Sequence, residues 1–122
     1  MRKKKVLILD DSPLVLELVD ITLSEHGYDV VGLSSPFEFS AALRREHPDL
    51  VLMDVTMPAL AGDKVVEFAR QFSPNGCPIV LFSDRSDAEL AMLASRCGAD
   101  GYIRKTSGTE ALPDLIAEFI RS

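Results

Sequence analysis

The chain has 122 residues, 47% of them apolar, with a formal charge of −6 and two cysteines. A chain of this size is read as one ordinary domain, residues 1–122, able to remove roughly two-thirds of its surface from water without disulfides. The acidic balance argues against direct nucleic-acid binding, which neutralises phosphates with basic patches. No stretch approaches the roughly 20 apolar residues of a membrane span. Val6–Leu9 is too short for the apolar core of a secretory signal and runs straight into Asp10 and Asp11. Cys77 and Cys97 lack CxxC or metal-type spacing, so the expected setting is the reducing cytoplasm. The short basic run Arg2, Lys3, Lys4, Lys5 reads as a solvated lead-in to the first strand.

Short apolar runs alternate with helical patterns along the chain. Val6–Leu9 is the first run. Ser12 and Pro13 then supply an N-cap and first helical residue, and His26-Gly27 a stop. Between them Leu14, Leu18 and Ile21 are expected on the buried face, widened by Val15, Val19 and Leu23. Val30–Leu33 follows, and Ser35-Pro36 opens a second helix whose apolar face is Phe39, Ala42 and Leu43. After Leu50–Met53, Asp63 can cap a third helix burying Val65, Val66, Phe68, Ala69 and Phe72. After Ile79–Phe82, Ser86 and Glu89 have capping-box spacing, and Gly98 can end the fourth helix. Gly101–Ile103 is the last run. Pro113 belongs in the first turn of the closing helix, because a deeper proline costs about 3 kcal/mol. Leu115, Ile116, Phe119 and Ile120 then face inward.

Several runs are continuously apolar, as strands buried on both faces of a parallel sheet are. Five strands alternating with five helices predict a doubly wound α/β domain with right-handed crossovers and helices on both faces. The working site of such a sheet lies beyond the carboxyl ends of its strands. There the sequence places Asp10 and Asp11, Asp54, Ser83 with Asp84, and Lys105. Singly, each is an ordinary cap, turn or surface residue. Together, three clustered carboxylates repel one another unless a cation compensates them. Oxygen-only ligands point to Mg²⁺ or Mn²⁺, which favour one or two carboxylates, waters and phosphate oxygens. A lysine and a hydroxyl beside them suit those phosphate oxygens. The chemistry that follows is phosphoryl transfer onto a carboxylate. Asp54, ending the central strand, is the best-placed nucleophile, and the pair Asp10-Asp11 suits the metal.

With these residues in order, the chain resembles the receiver domains of two-component response regulators, of the chemotaxis-regulator kind, over essentially its whole length. The resemblance rests on Asp10-Asp11, on Asp54-Val55-Thr56-Met57-Pro58 with Gly62 beyond, on Ser83, and on Tyr102 with Lys105. It implies a flavodoxin-like five-stranded sheet of order 2-1-3-4-5. It implies Asp54 as phosphoacceptor and Asp11 as direct metal ligand, with Asp10 acting through water and Thr56 through its backbone carbonyl. Ser83 would hydrogen-bond the phosphoryl group, Lys105 would pair with its oxygens, and Tyr102 would turn inward as the switch aromatic. The phosphate would come from a sensor histidine kinase or a phosphotransfer protein. The face of the fourth helix, fifth strand and fifth helix would then be read by a downstream protein or effector domain, or by a second copy.

Two residues depart from the family pattern. Thr106 stands where the family has a proline in a cis peptide, and a non-proline cis bond costs about 2.5–4 kcal/mol, so a trans or rearranged loop is expected. Asp84 replaces a small residue beside the rim. Two rivals stay open at this point. One is a receiver-like binding module that is never phosphorylated. The other is a phosphatase or phosphotransferase with an aspartate nucleophile, although Thr56 stands where such an enzyme commonly has a second aspartate. Neither GxxxxGK[ST] nor GxGxxG occurs, which disfavours nucleotide binding.

Overall fold

The computed structural model describes residues 3–55 and 76–120. In chain order it shows β1 (Lys5–Leu9), α1 (Pro13–Glu25), β2 (Asp29–Leu33) and a 3-10 turn, Pro36–Glu38, that runs into α2 (Phe39–Glu46). β3 (Leu50–Met53), β4 (Ile79–Ser83), α3 (Asp87–Cys97) and β5 (Gly101–Arg104) follow. Two further 3-10 turns, Lys105–Ser107 and Thr109–Ala111, lead into α4 (Leu112–Ala117). The expected third helix, with Asp63, Val65, Val66, Phe68, Ala69 and Phe72, lies outside the described residues.

All five strands are parallel, in the order β2-β1-β3-β4-β5. Because side chains alternate across a strand, each central strand feeds two cores. Leu7, Leu9, Val51, Met53, Ile79 and Leu81 pack on one face with α2 and α3, through Phe39, Ala42, Leu43, Leu90 and Ala94. Val6, Ile8, Leu50, Leu52, Val80 and Phe82 pack on the other with α1 and α4, through Val19, Leu23, Leu112 and Ile116. That double burial is why these strands read as unbroken apolar runs. β2, on the edge, is only partly covered.

The helix signals act as read. Ser12 Oγ accepts the Val15 amide at 3.3 Å, with Pro13 beside it. Ser86 Oγ accepts the Glu89 amide at 3.2 Å and donates to its carboxylate at 3.0 Å. Gly98 ends α3 at φ +79°, a left-handed turn that favours glycine. The face of α1 requires correction. Leu14, Leu18 and Ile21 are 64%, 41% and 51% exposed, and the helix buries Val19 and Leu23 instead. α1 carries two apolar stripes, and the sheet can cover one. The covered stripe is the one that meets α4 and the outer strands in a single core.

The end of the chain leans on a missing side chain. A Cβ at Gly101 would sit 2.6 Å from two ring carbons of Phe119. Gly101→Ala must therefore displace the ring from β5, an overpacking change of about 1–3 kcal/mol. The expected result is a melting temperature lower by several degrees. The same substitution made in a Phe119→Ala background should cost much less, and differential scanning fluorimetry of the four proteins checks the coupling.

Candidate functional site

Two neighbouring strands deliver the carboxylates. Leu9 and Met53 are register partners in the β1–β3 ladder, so Asp10 and Asp54, one residue on, leave the sheet side by side. The ladder extends to both of them. The Asp10 amide donates to the Leu33 carbonyl at 3.0 Å and the Asp54 amide to the Leu9 carbonyl at 2.9 Å. Asp10 is fully buried and Asp54 is 3% exposed. Asp10 Oδ1 accepts the Ser12 amide at 2.9 Å, which fixes the turn into α1. Asp11 is exposed at the rim. One oxygen from each of Asp10, Asp11 and Asp54 can be chosen so that all lie within 4.8 Å of one another.

Lys105 brings the countercharge. Its ammonium lies 2.7 Å from Asp10 Oδ2 and 3.6 Å from Asp54 Oδ2, with its side chain 15% exposed. It also sits 5.6 Å from the centre of the Phe82 ring, whose face favours a cation. The reach is achieved without a cis peptide. No described peptide bond is cis, and Lys105–Ser107 turns as a 3-10 helix instead. Thr106 therefore changes the loop and leaves the ammonium at the site.

The two partners perturb each other. Burial raises the Asp10 carboxyl above the ordinary aspartate range, a rise opposed by the Lys105 hydrogen bond, the Ser12 amide and the lysine charge, and reinforced by Asp54. For Lys105, burial works against the charged form. Its hydrogen bond to Asp10, with the fields of Asp10, Asp54 and Asp84, outweighs that effect and lifts the ammonium above the ordinary lysine range.

The donor set fits a hard divalent cation. Three carboxylates converge on one point, and one ammonium faces two of them. When all are ionised the cluster keeps two negative charges, which a divalent ion would balance. Oxygen-only donors, one of them open to solvent, match an ion that retains waters.

The remaining expected residues fall as follows. Ser83 ends β4, fully buried, and its Oγ accepts the Arg85 amide at 3.2 Å. Asp84 is exposed beside it, and its charge is felt by Lys105. Tyr102 on β5 is half-buried against the core shared with α2 and α3. Thr56, Met57, Pro58 and Gly62 lie outside the described residues. The reading of strand ends passed over Arg104. Its Nε donates to the Arg85 carbonyl at 3.1 Å, and its Nη1 stands 3.6 Å from Asp87 Oδ2. The available signal was a charged residue closing an otherwise apolar strand.

Comparison with known proteins agrees with this geometry. The family model described as "Response regulator receiver domain" matches residues 6–117. The chain is 33% identical over 121 residues to a probable transcriptional regulator, ycf27, of Porphyridium aerugineum, covering 99% of this chain and 50% of that protein. It is 31% identical over 103 residues to the DNA-binding response regulator MtrA of Mycolicibacterium smegmatis, covering 84% and 44%. The chain thus spans about half the length of the curated relatives it matches. Among solved structures, the chemotaxis protein CheY4 of Vibrio cholerae superposes with a TM-score of 0.87 at 27% identity, covering 96% of this chain and 98% of that one. A CheY-like receiver domain protein from Methanospirillum hungatei gives 0.86 at 27% identity, covering 98% and 94%.

Proposed function

The chain belongs to the response regulator receiver domain family, and on that premise we propose that it is a phosphorelay switch whose acceptor is the Asp54 carboxylate. It is a signalling module rather than a classical enzyme. The observation that carries the assignment is the placing of Asp54: nearly buried, one strand from Asp10, with the Lys105 ammonium 3.6 Å away. An oxygen of Asp54 attacks the donor phosphorus, the bond from phosphorus to the donor breaks, and the donor leaves with the electron pair. Lys105 meets the charge on the transferred group, and the buried Ser83 hydroxyl donates to one of its oxygens. Tyr102 follows the movement of Ser83 as the switch aromatic.

Asp11 and Asp54, with Asp10 acting through water and the Thr56 carbonyl, would hold Mg²⁺ or Mn²⁺. When bound, that ion supplies positive charge to the phosphoryl oxygens. Receivers partner with histidine kinases, and a sensor kinase or a phosphotransfer protein is the donor this reading assigns. The whole is read as one domain over residues 1–122 acting in the cytoplasm. No described helix is long and apolar enough to cross a membrane. The output surface is the face of α3, β5 and α4, offered to a downstream protein, an effector domain or a second copy. DNA binding is stated in the name of a relative, and this chain matches the receiver portion.

Incubation with acetyl phosphate and Mg²⁺ is expected to add one phosphoryl group per chain by intact mass, and a chelator is expected to abolish the addition. A chain that gains no mass with donor and metal present would sink the assignment in favour of a binding module that is never phosphorylated. Steady turnover of a small phosphoester would favour the enzyme reading.

A further inference from the structure

We propose that Arg104 is a positioning residue for the acceptor site: its guanidinium clips the loop after Ser83 to β5 and so holds the Ser83 hydroxyl back from a phosphoryl group on Asp54. The inference rests on the phosphoacceptor reading and adds to it a residue that sets how readily the switch turns.

Ser83 and Arg104 are register partners at the ends of β4 and β5. From there three contacts run in series. Ser83 Oγ accepts the Arg85 amide at 3.2 Å. The Arg85 carbonyl accepts Arg104 Nε at 3.1 Å. Arg104 Nη1 then stands 3.6 Å from Asp87 Oδ2, in the first turn of α3. The amide and carbonyl of one residue therefore link the hydroxyl to the guanidinium. Arg104 also directly precedes Lys105, the ammonium of the site.

The physical consequence is a bias. To donate to a phosphoryl oxygen, the Ser83 hydroxyl must turn toward Asp54, and the Arg85 amide then loses its acceptor unless the loop follows. The loop cannot follow without lengthening the Arg104–Arg85 bond. A group held on one side of a two-state equilibrium shifts it by the difference of its contacts in the two states. The Arg104 side chain is 34% exposed and that of Asp87 68%, so the contacts are solvent-screened. The expected bias is about two- to five-fold rather than a hundred-fold.

The test is the affinity of the intact chain for beryllofluoride with Mg²⁺, a mimic of the phosphoryl group. Arg104→Gln and Arg104→Lys should each bind about two- to five-fold tighter than wild type, with Mg²⁺ affinity and melting temperature unchanged. Arg104→Lys decides between causes. It keeps the charge beside Asp87 but loses the Nε–H that holds Arg85. Simple electrostatics predicts the opposite sign for Arg104→Gln, since removing a cation weakens binding of an anion, and predicts no change for Arg104→Lys. Variants that match wild type, or that bind more weakly, overturn the inference while the acceptor reading stands. A wild-type chain that takes no beryllofluoride overturns the acceptor reading and the inference with it.

Discussion

Asp54→Asn is expected to take no phosphoryl group from acetyl phosphate under conditions that load the wild type, and to fold at least as well as the wild type without metal. The first half follows from chemistry. A carboxamide oxygen is a far poorer nucleophile at phosphorus, and Asp10 and Asp11, although within the same cluster, leave a different strand. The second half follows from charge. Asp54 is nearly buried, and its field helps push the Asp10 carboxyl upward. Neutralising it removes a like-charge contact, while the amide bond to the Leu9 carbonyl, 2.9 Å, is main-chain and survives. The metal-free variant should gain about 1 kcal/mol. Its stabilisation by added Mg²⁺ should shrink, because a ligand stabilises only as far as it binds the folded state. Intact mass and thermal melts with and without Mg²⁺ check both halves. A variant that still gains a phosphoryl group places the acceptor elsewhere.

Lys105→Met is expected to fail differently, slowing phosphoryl uptake by about 10²–10³-fold, the cost of losing one aimed positive group, and destabilising the metal-free fold. Removing the ammonium leaves the fully buried Asp10 beside Asp54 without the cation that now stands 2.7 Å away. Breaking a buried pair costs about 3–5 kcal/mol. Asp10, already displaced upward by burial, can take a proton instead, so about 2–3 kcal/mol is expected at neutral pH by the same rule. The pH dependence has a definite sign. The folded chain holds a proton on Asp10 that the unfolded chain releases, so the penalty grows as the pH rises past the ordinary aspartate range and shrinks below it. In the wild type, the raised Lys105 ammonium contributes stability that is complete below the ordinary lysine value and is lost as the pH climbs past its raised folded value. Urea melts across pH, with and without Mg²⁺, separate these effects. Mg²⁺ should restore much of the lost stability, because it brings charge to the same carboxylates. Lys105→Arg should fold like the wild type and recover only part of the rate, since a planar fork cannot occupy the place of a compact ammonium.

Most of the frame was legible because two local rules sufficed. Unbroken apolar runs marked the central strands, and serine, proline and glycine marked helix ends at Ser12-Pro13, Ser86 and Gly98. The strand-end rule then gathered Asp10, Asp54, Ser83 and Lys105, since their place depends on topology rather than on any side-chain detail. What failed were choices that only packing makes. Leu14, Leu18 and Ile21 form as good an apolar stripe as Val19 and Leu23, and only the meeting of α1 with the sheet decides between them. Arg104 was passed over for a related reason. Its importance comes from Arg85, whose contribution is a backbone carbonyl, and a sequence reading weighs side chains. The trans Lys105–Thr106 bond was expected from the cost of the alternative, but that the ammonium would still reach Asp10 depends on the 3-10 turn.

Asp10 and Asp54 are held by main-chain bonds to Leu33 and Leu9, as continuations of a ladder already built. Fixing a residue's backbone costs about 1–2 kcal/mol of conformational entropy, and for both residues that cost is met when the strands pair. Capture of an ion or a phosphoryl group is then left to expel water and settle side-chain rotamers. Domains that fold only around their metal work in reverse, melting whenever it departs. Here the scaffold outlasts its ligands, so the cluster can be charged and emptied repeatedly while the chain stays folded.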